Sequence, residues 1–413
     1  MLGRLAIERV TVLKSVSPHI KRQHLHDIRT NNRSRILRIL RDSEQSSRQE
    51  LATSLDLTPA SLSRISKELI ADGICIEAPN TRDVSQRGRP SVALQINAKG
   101  GYLIAISISS FSRLISVIDI AGNQKYVHKM PKGVILSGAD TVAFIGDYID
   151  GLVAEKVLDR ALILGASLTI PGSINSETGF LTKSVLLNWP NFAIKEKLAE
   201  RLMCPIRLEN NGDALCRHFL DKTSMSETDR SNVFLVHVSN GMGASIAIGG
   251  RIVRRLADEG WINDIPVLTK EGEEYSEQKL SMCASGEAIL AKLPDMEKPI
   301  GQEGTEFSRA LHSAVNVANG EPNKARDVFF NAGHALGANL LSLSIAIAPD
   351  TIVLAGPVLN ALSYSEGVQA GYNHAADRMK IQPSQIVVSG ASYIDAAQCL
   401  ALHDFFLSGA YGA

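Results

Sequence analysis

Near Asn97 the periodicity of this chain changes, and that change limits the folds open to it. Before it, apolar residues recur at helical spacing between turn signals. After it, runs such as YLIAISIS, RLISVIDI and NVFLVHVS alternate with helical stretches, which is the texture of an α/β fold. At 413 residues the chain is long for one core. A small helical head followed by a larger α/β body is expected.

The head is read residue by residue. NNRSRILRILRDSE places Ile36, Leu37 and Leu40 on one helical face, and SRQELATSLDL opens with a capping box between Ser47 and Glu50. In LTPASLSRISKELIADG, Thr58 is a natural N-cap and Pro59 a natural first-turn residue. Leu62, Ile65 and Leu69 form the buried stripe, and Gly73 is the left-handed stop. The tight LDL turn between the two helices gives helix-turn-helix spacing. Ala60, Ser61, Ser63, Arg64 and Lys67 then face outward, small hydroxylic and cationic groups suited to base edges and phosphates. ICIEA and SVALQI read as two strands of a β-wing whose tip carries Arg82, Arg87 and Arg89. Residues 1–97 hold 16 lysines and arginines against 10 acidic residues, in a chain with no net charge overall. That basic head on an acidic body fits a partner of double-stranded DNA. The competing reading is a helical packing module with a solvated basic face.

From Gly101 three strands, a helix around Thr141–Val157 and a further strand are followed by a second set: NVFLVHVS, GASIAI, RIVRRL, a helix near Ala325–Ile347, and TIVLAG. Such a repeat predicts a duplicated α/β fold with a cleft between its halves. The five cysteines are scattered and form no CxxC pair, so neither a disulfide framework nor a cysteine-rich zinc site is expected. LLSLSIAIA is too short for a membrane span, and the charged N-terminus lacks a signal-peptide core; a cytoplasmic protein without membrane contact is the expectation.

The body segments SLTIPGSINSETGFL, LNWPNFAIKEKL, LENNGDAL, VSNGMGASIAIGGRIV, CASGEAI and IVLAGPV, behind that head and RGRPSVALQIN, resemble the ROK family (repressors, open reading frames and kinases) in its transcriptional repressor branch. The resemblance implies a two-lobed actin/hexokinase-like, ribonuclease H-like body that binds sugar in its cleft. The domains expected from it are an N-terminal arm over 1–30, a winged helix-turn-helix over 31–97, and a ligand-binding and dimerisation body over 98–413. Lobe I would take about 98–210 plus the C-terminal helix 393–413, and lobe II about 211–392.

The resemblance also marks departures. A ROK kinase opens its first lobe with Asp-x-Gly-Gly-Thr; this chain reads SISSF, with Ser107, Ser109, Ser110 and Phe111 at the four positions. The second phosphate loop, Ser239–Gly243, keeps its glycines, which a tight hairpin needs anyway. The family's Glu-Asn-Asp, whose aspartate is the general base, is here Glu209, Asn210, Asn211, and an amide cannot act as a base at neutral pH. Asp213 is expected to do no more than stabilise the next helix's N-terminus. The family's Gly-Glu-x-Gly-His corresponds to Gly260–Asp264, with Trp261 and Asp264 at the glutamate and histidine. The family's zinc loop is missing: its segment holds only Cys283, and Ser281 stands where the family has the glutamate after that loop, so no metal and no cofactor are expected; Glu271, Glu273 and Glu274 read as a solvated acidic loop.

The reading that results is a non-enzymatic regulator, a repressor of a carbohydrate operon acting as a homodimer or tetramer. Arg48, Ser61, Ser63, Arg64, Lys67, Arg87 and Arg89 would contact operator DNA. Asn210, Asn211, Trp261 and Asp264 would hold a small carbohydrate-like ligand, with no catalytic residue. The alternatives are an active sugar kinase carrying a DNA-binding head, and a ligand-blind DNA binder controlled by a partner protein.

Overall fold

The computed structural model describes residues 18–79, 92–130, 136–175, 178–184, 186–187, 189, 192–223, 232–253, 262–271, 274–294 and 306–408. It divides into two compact units. One is Met1–Ile96 together with Phe406–Ala413, and the other is Asn97–Phe405.

The head contains α1 (Pro18–Ser43), β1 (Gln45–Ser47), α2 (Arg48–Leu55), α3 (Pro59–Ala71), β2 (Cys75–Pro79) and β3 (Val92–Ile96). Ser47 accepts from the Glu50 amide and Glu50 accepts from the Ser47 amide, so the expected capping box is present. Asp56 closes α2 in the left-handed region, Thr58 caps α3 with Pro59 in its first turn, and Gly73 follows α3 at φ 75°. Ile36, Leu37, Leu40, Leu62, Ile65 and Leu69 are at most 2% exposed and make the core with Leu51 and Leu94. β3 is the middle strand, antiparallel to β1 on one side and β2 on the other. β1 had no signal of its own, because a three-residue strand has too few positions to show a period. Two boundaries differ from the expected domains. α1 runs unbroken past residue 30, so part of the expected arm is helix continuous with the head. The chain after Phe405 belongs to the head and not to lobe I: Phe406 and Leu407 are fully buried, and the Ser34 hydroxyl donates to the Leu407 carbonyl.

The body opens with β4 (Tyr102–Ile108), β5 (Arg113–Asp119), β6 (Gln124–Lys129), α4 (Gly138–Ala154), β7 (Ile163–Ile170), β8 (Ser173–Ile174), β9 (Leu181–Lys183), α5 (Ile194–Leu202) and β10 (Ile206–Asn210). After α6 (Asn211–Thr223) come β11 (Val233–Val238), β12 (Met242–Ile248), β13 (Arg251–Ile252), a hairpin of β14 (Pro266–Glu271) and β15 (Glu274–Lys279), α7 (Leu280–Ala284), α8 (Gly286–Ala291), α9 (Glu306–Ala318), α10 (Lys324–Ile347), β16 (Thr351–Ala355), α11 (Leu362–Met379), β17 (Gln385–Val388) and α12 (Tyr393–Leu402). The two five-stranded sheets, β10-β7-β4-β5-β6 and β13-β12-β11-β16-β17, have the same plan. In each, an antiparallel meander is extended by two parallel strands, as the repeated pattern predicted.

Strand alternation sorts the residues between layers. On β4, Ile104, Ile106 and Ile108 face the core shared with α4 and α5, while Ala105 faces α12. On β11, Phe234, Val236 and Val238 face α10 and α11, while Val233 and Leu235 meet α6 and α12. α6 carries the chain from the first sheet to the second, and α12 packs on both. α10 has the length and hydropathy of a membrane-crossing helix, yet one whole side of it is buried against α11 and the second sheet. The two helices touch backbone to backbone: a Cβ on Gly333 or Gly337 would collide with the carbonyls of Tyr364 and Val368. Where the sequence suggested a solvated acidic loop around Glu271–Glu274, the backbone forms the β14–β15 hairpin, with Glu271 opposite Glu274 at its tip.

Candidate functional site

On the head, Arg64 and Lys67 are exposed on the outer face of α3, with Ser61 and Ser63 half-buried beside them. Ser61 already receives the Thr58 hydroxyl, at 3.0 Å. Arg48 is held internally: its guanidinium donates to the Ser66 hydroxyl at 3.1 Å and pairs with Glu77 at 2.6 Å, tying α2 to α3 and β2. Arg87 and Arg89, with Arg82, lie outside the described residues.

In the body the strand-to-helix junction β10–α6 carries both expected asparagines. Asn210 ends the strand, donating to the Gly172 carbonyl at 2.6 Å and accepting from the Gly212 amide at 2.7 Å. Each contact uses half of what its amide nitrogen and oxygen can make. Asn211 starts the helix and is 3% exposed; its Nδ2 donates to the Ile108 carbonyl at 3.0 Å, and its buried Oδ1 has no hydrogen-bond partner. Asp213 sits in the first turn of α6, as expected, and accepts from the Ser245 hydroxyl at 2.6 Å. Trp261 lies outside the described residues. Asp264 is exposed and pairs with Lys279 at 2.7 Å. No hydrogen bond or ion pair joins Asp264 to the two asparagines.

The segments corresponding to the family's two phosphate loops meet directly. The Ser109 hydroxyl accepts from the Phe111 and Ser112 amides and donates to the Ser112 carbonyl, a closed serine turn. Next to it the Ser110 and Ser239 hydroxyls approach to 3.3 Å. The Phe111 ring packs on the second lobe's core and stands edge-on to His312, with centroids 5.0 Å apart. Ser107 is fully buried with an unpartnered hydroxyl. On the other loop, a Cβ on Gly243 would strike the His237 ring, so this glycine serves close packing; its φ is not in the left-handed region that a hairpin glycine would supply. His237 Nδ1 lies 3.3 Å from the Tyr393 hydroxyl, and burial pushes that phenol up to about 12, with the Ser239 hydrogen bond pulling the other way.

Asn263 was missed by sequence reasoning. It donates to the Met242 carbonyl at 2.8 Å and accepts from the Met242 amide at 2.9 Å, fixing the second loop like a strand partner. An asparagine two residues after a tryptophan carries no signal for this. The five cysteines are buried and none is in a disulfide, and burial pushes Cys75 and Cys204 up to about 12, far from a reactive thiolate. Among the described residues no three His, Cys, Asp or Glu side chains group as a metal site would require.

A winged helix-turn-helix head on a duplicated, two-lobed actin-like body is the class these features define. Residues 104–400 match the ROK family, and the chain belongs to it; residues 30–83 match the MarR family. The DNA-binding transcriptional dual regulator NagC of Escherichia coli (strain K12) is 22% identical over 336 residues, 80% of this chain and 81% of that protein. The xylose repressor of Caldicellulosiruptor bescii is 24% identical over 227 residues, which is 55% of this chain and only 56% of that repressor's length. Among solved structures, a ROK family transcriptional regulator homologous to the E. coli MLC protein superposes with a TM-score of 0.68 at 20% identity, over 92% of this chain and 98% of that one. A ROK family glucokinase from Streptomyces griseus, in complex with glucose and AMPPNP, gives 0.54 at 18% identity, over 73% and 100%. The structural likenesses establish the fold.

Proposed function

We propose that this protein is a cytoplasmic transcriptional regulator, a repressor of a carbohydrate uptake or catabolic operon, whose body senses a small polyhydroxylated ligand without phosphorylating it. The observation that carries the reading is the combination in one chain of an exposed Arg64–Lys67 face on a capped second helix with a ROK body whose general-base position is the amide Asn211. Among its relatives are a DNA-binding transcriptional dual regulator, NagC, and a xylose repressor, which supports the reading. A homodimer or tetramer would present paired heads to a palindromic operator. Arg64, Lys67, Ser61 and Ser63 would meet the groove, with Arg87 and Arg89 on the wing. Arg48 would reach phosphate only by leaving Glu77.

The cleft favours recognition over chemistry. A nucleotide fits it badly, because the Ser110–Ser239 contact and the Phe111 ring occupy the ground between the two loops. The half-buried Asn210, with the unused half of its amide, can instead answer ligand hydroxyls, with Trp261 and Asp264 as further contacts; the buried Asn211 Oδ1 would join them only if the junction opened. Gel-shift titration of the protein's own promoter region tests the head. Arg64→Ala and Lys67→Ala should each weaken binding and lower the salt slope by about one, and unchanged binding would refute the DNA assignment. Incubation with ATP and a panel of hexoses tests the body, and ADP release would return the kinase alternative. If sugars, inositols and sugar phosphates all leave the melting temperature unchanged, control by a partner protein takes its place.

A further inference from the structure

A polar cavity lies between the lobes beside the asparagine junction, on the opposite face of β10 from Asn210. It has a volume of about 120 Å³ and is lined by Arg207, Glu209, Asp213, Arg217, Ile252, Leu400 and Asp404. Arg207 and Glu209 stand on β10, on the strand face opposite Asn210. Asp213 and Arg217 come from α6, Ile252 from the second sheet's edge strand, and Leu400 and Asp404 from α12 and the π-helical turn after it. The cavity therefore touches both sheets and both helices that pass between them.

The charges on its wall are unevenly satisfied. Arg207 pairs with Glu209 at 2.6 Å and Asp404 at 3.3 Å, and Asp404 also meets His403 Nδ1 at 2.8 Å. Burial pushes the Asp404 carboxyl up, but the His403 hydrogen bond and the charges of Arg207 and Arg217 together hold it below the ordinary carboxylate range. Arg217 is half-buried on the same wall, and its charge acts on Asp404 across the cavity. A half-buried guanidinium fork facing an open cavity matches a carboxylate in shape and charge. A simple anion would nevertheless face three carboxylates against two guanidinium groups. A ligand with its own positive group avoids that conflict. Ile252 and Leu400 form the apolar side of the space. For scale, a cavity of roughly 150 Å³ holds the six heavy atoms of one benzene ring, so about 120 Å³ suits roughly five or six smaller polar ones.

We infer that this cavity binds a small zwitterion, an α-amino acid of the size of alanine. Its carboxylate would lie on Arg217, its ammonium against Glu209 and Asp213, and its short side chain on Ile252 and Leu400. Because the walls belong to both lobes, occupancy favours one lobe angle over others. The chain leaves the site at Asp404 and from Phe406 onward belongs to the head.

Calorimetric titration of the full chain with glycine, L-alanine and L-serine tests this, with propionate, ethylammonium and L-phenylalanine as controls. The small amino acids should bind at one site, and each control should bind about tenfold or more weakly. Arg217→Met should weaken alanine binding about 10- to 100-fold. Ile252→Trp, which fills the space and keeps every charge, should abolish binding and covers the case in which Arg217→Met fails to fold. The inference is overturned if no small amino acid binds, if binding survives either cavity variant, or if propionate binds as tightly as alanine.

Discussion

Asn211 offers the sharpest test, because one atom separates it from the aspartate of a ROK kinase. Asn211→Asp replaces the Nδ2 donor, 3.0 Å from the Ile108 carbonyl, with an oxygen. At 3% exposure the new carboxylate cannot turn to water, so it faces that carbonyl with two acceptors and no proton. Losing the bond, leaving the carbonyl unsatisfied and burying an unpaired charge should cost about 2–4 kcal/mol at pH 8. Protonation cures most of this, since a neutral carboxyl donates to the carbonyl as the amide did. The folded-state pKa is then raised above the unfolded value. The protonated form's advantage is complete below pH ~4, the ordinary aspartate value, and is lost as pH rises through the higher folded value. Calorimetry of wild type and variant from pH 4 to 8 should show a gap that widens with pH, reaching roughly 5–15 °C at about 2–4 °C per kcal/mol. A gap that is absent or flat with pH would show that Asn211 is not buried against Ile108. The variant should also release no ADP from ATP with any hexose; turnover would mean that the Phe111 and Ser110 contacts do not close the cleft.

Three further outcomes are expected. Phe111→Ala should lower the body's stability by about 1–3 kcal/mol, and a double-mutant cycle with His312→Ala should return a coupling of about 0.5–1.5 kcal/mol; zero coupling would mean that the ring contact contributes nothing. Gly337→Ala should destabilise by about 1–3 kcal/mol or more, because the Val368 carbonyl it meets is backbone and cannot move aside alone; an unchanged melting temperature would refute the close crossing of α10 and α11. Asp404, held below its ordinary range, contributes stability that is present above pH ~4 and lost as pH falls through its folded value. Asp404→Asn should flatten the acid limb of the stability profile, and an unaltered limb would remove Asp404 from the ion network.

Much of the head was legible because its signals are local. Capping by Ser47 and Thr58, the stop at Gly73 and the stripe Leu62–Ile65–Leu69 act over one or two helical turns, so neighbouring residues suffice to specify them. The two-lobed body was legible for a related reason: β-branched runs and turn signals recur twice in the same order, and short-range periodicity selects the strands. At the junction, the order Glu209, Asn210, Asn211 was enough to place an amide where the resemblance puts the family's aspartate.

The sequence by itself determined the two kinds of architecture, the outward Arg64–Lys67 face and an asparagine at the position of the family's aspartate. Only the tertiary structure decided what those side chains touch. Arg48 is spent on Glu77 and Ser66, Asp264 on Lys279, and Asn263 holds the Met242 backbone. It also brought Arg207 and Asp404, far apart along the chain, to one cavity wall, and carried the last helical turn back into the head. The division follows from range. Helix caps and periodicity are set by bonds between near neighbours, whereas the partner of a long polar side chain is fixed only when the packing of distant elements puts an opposite charge within reach.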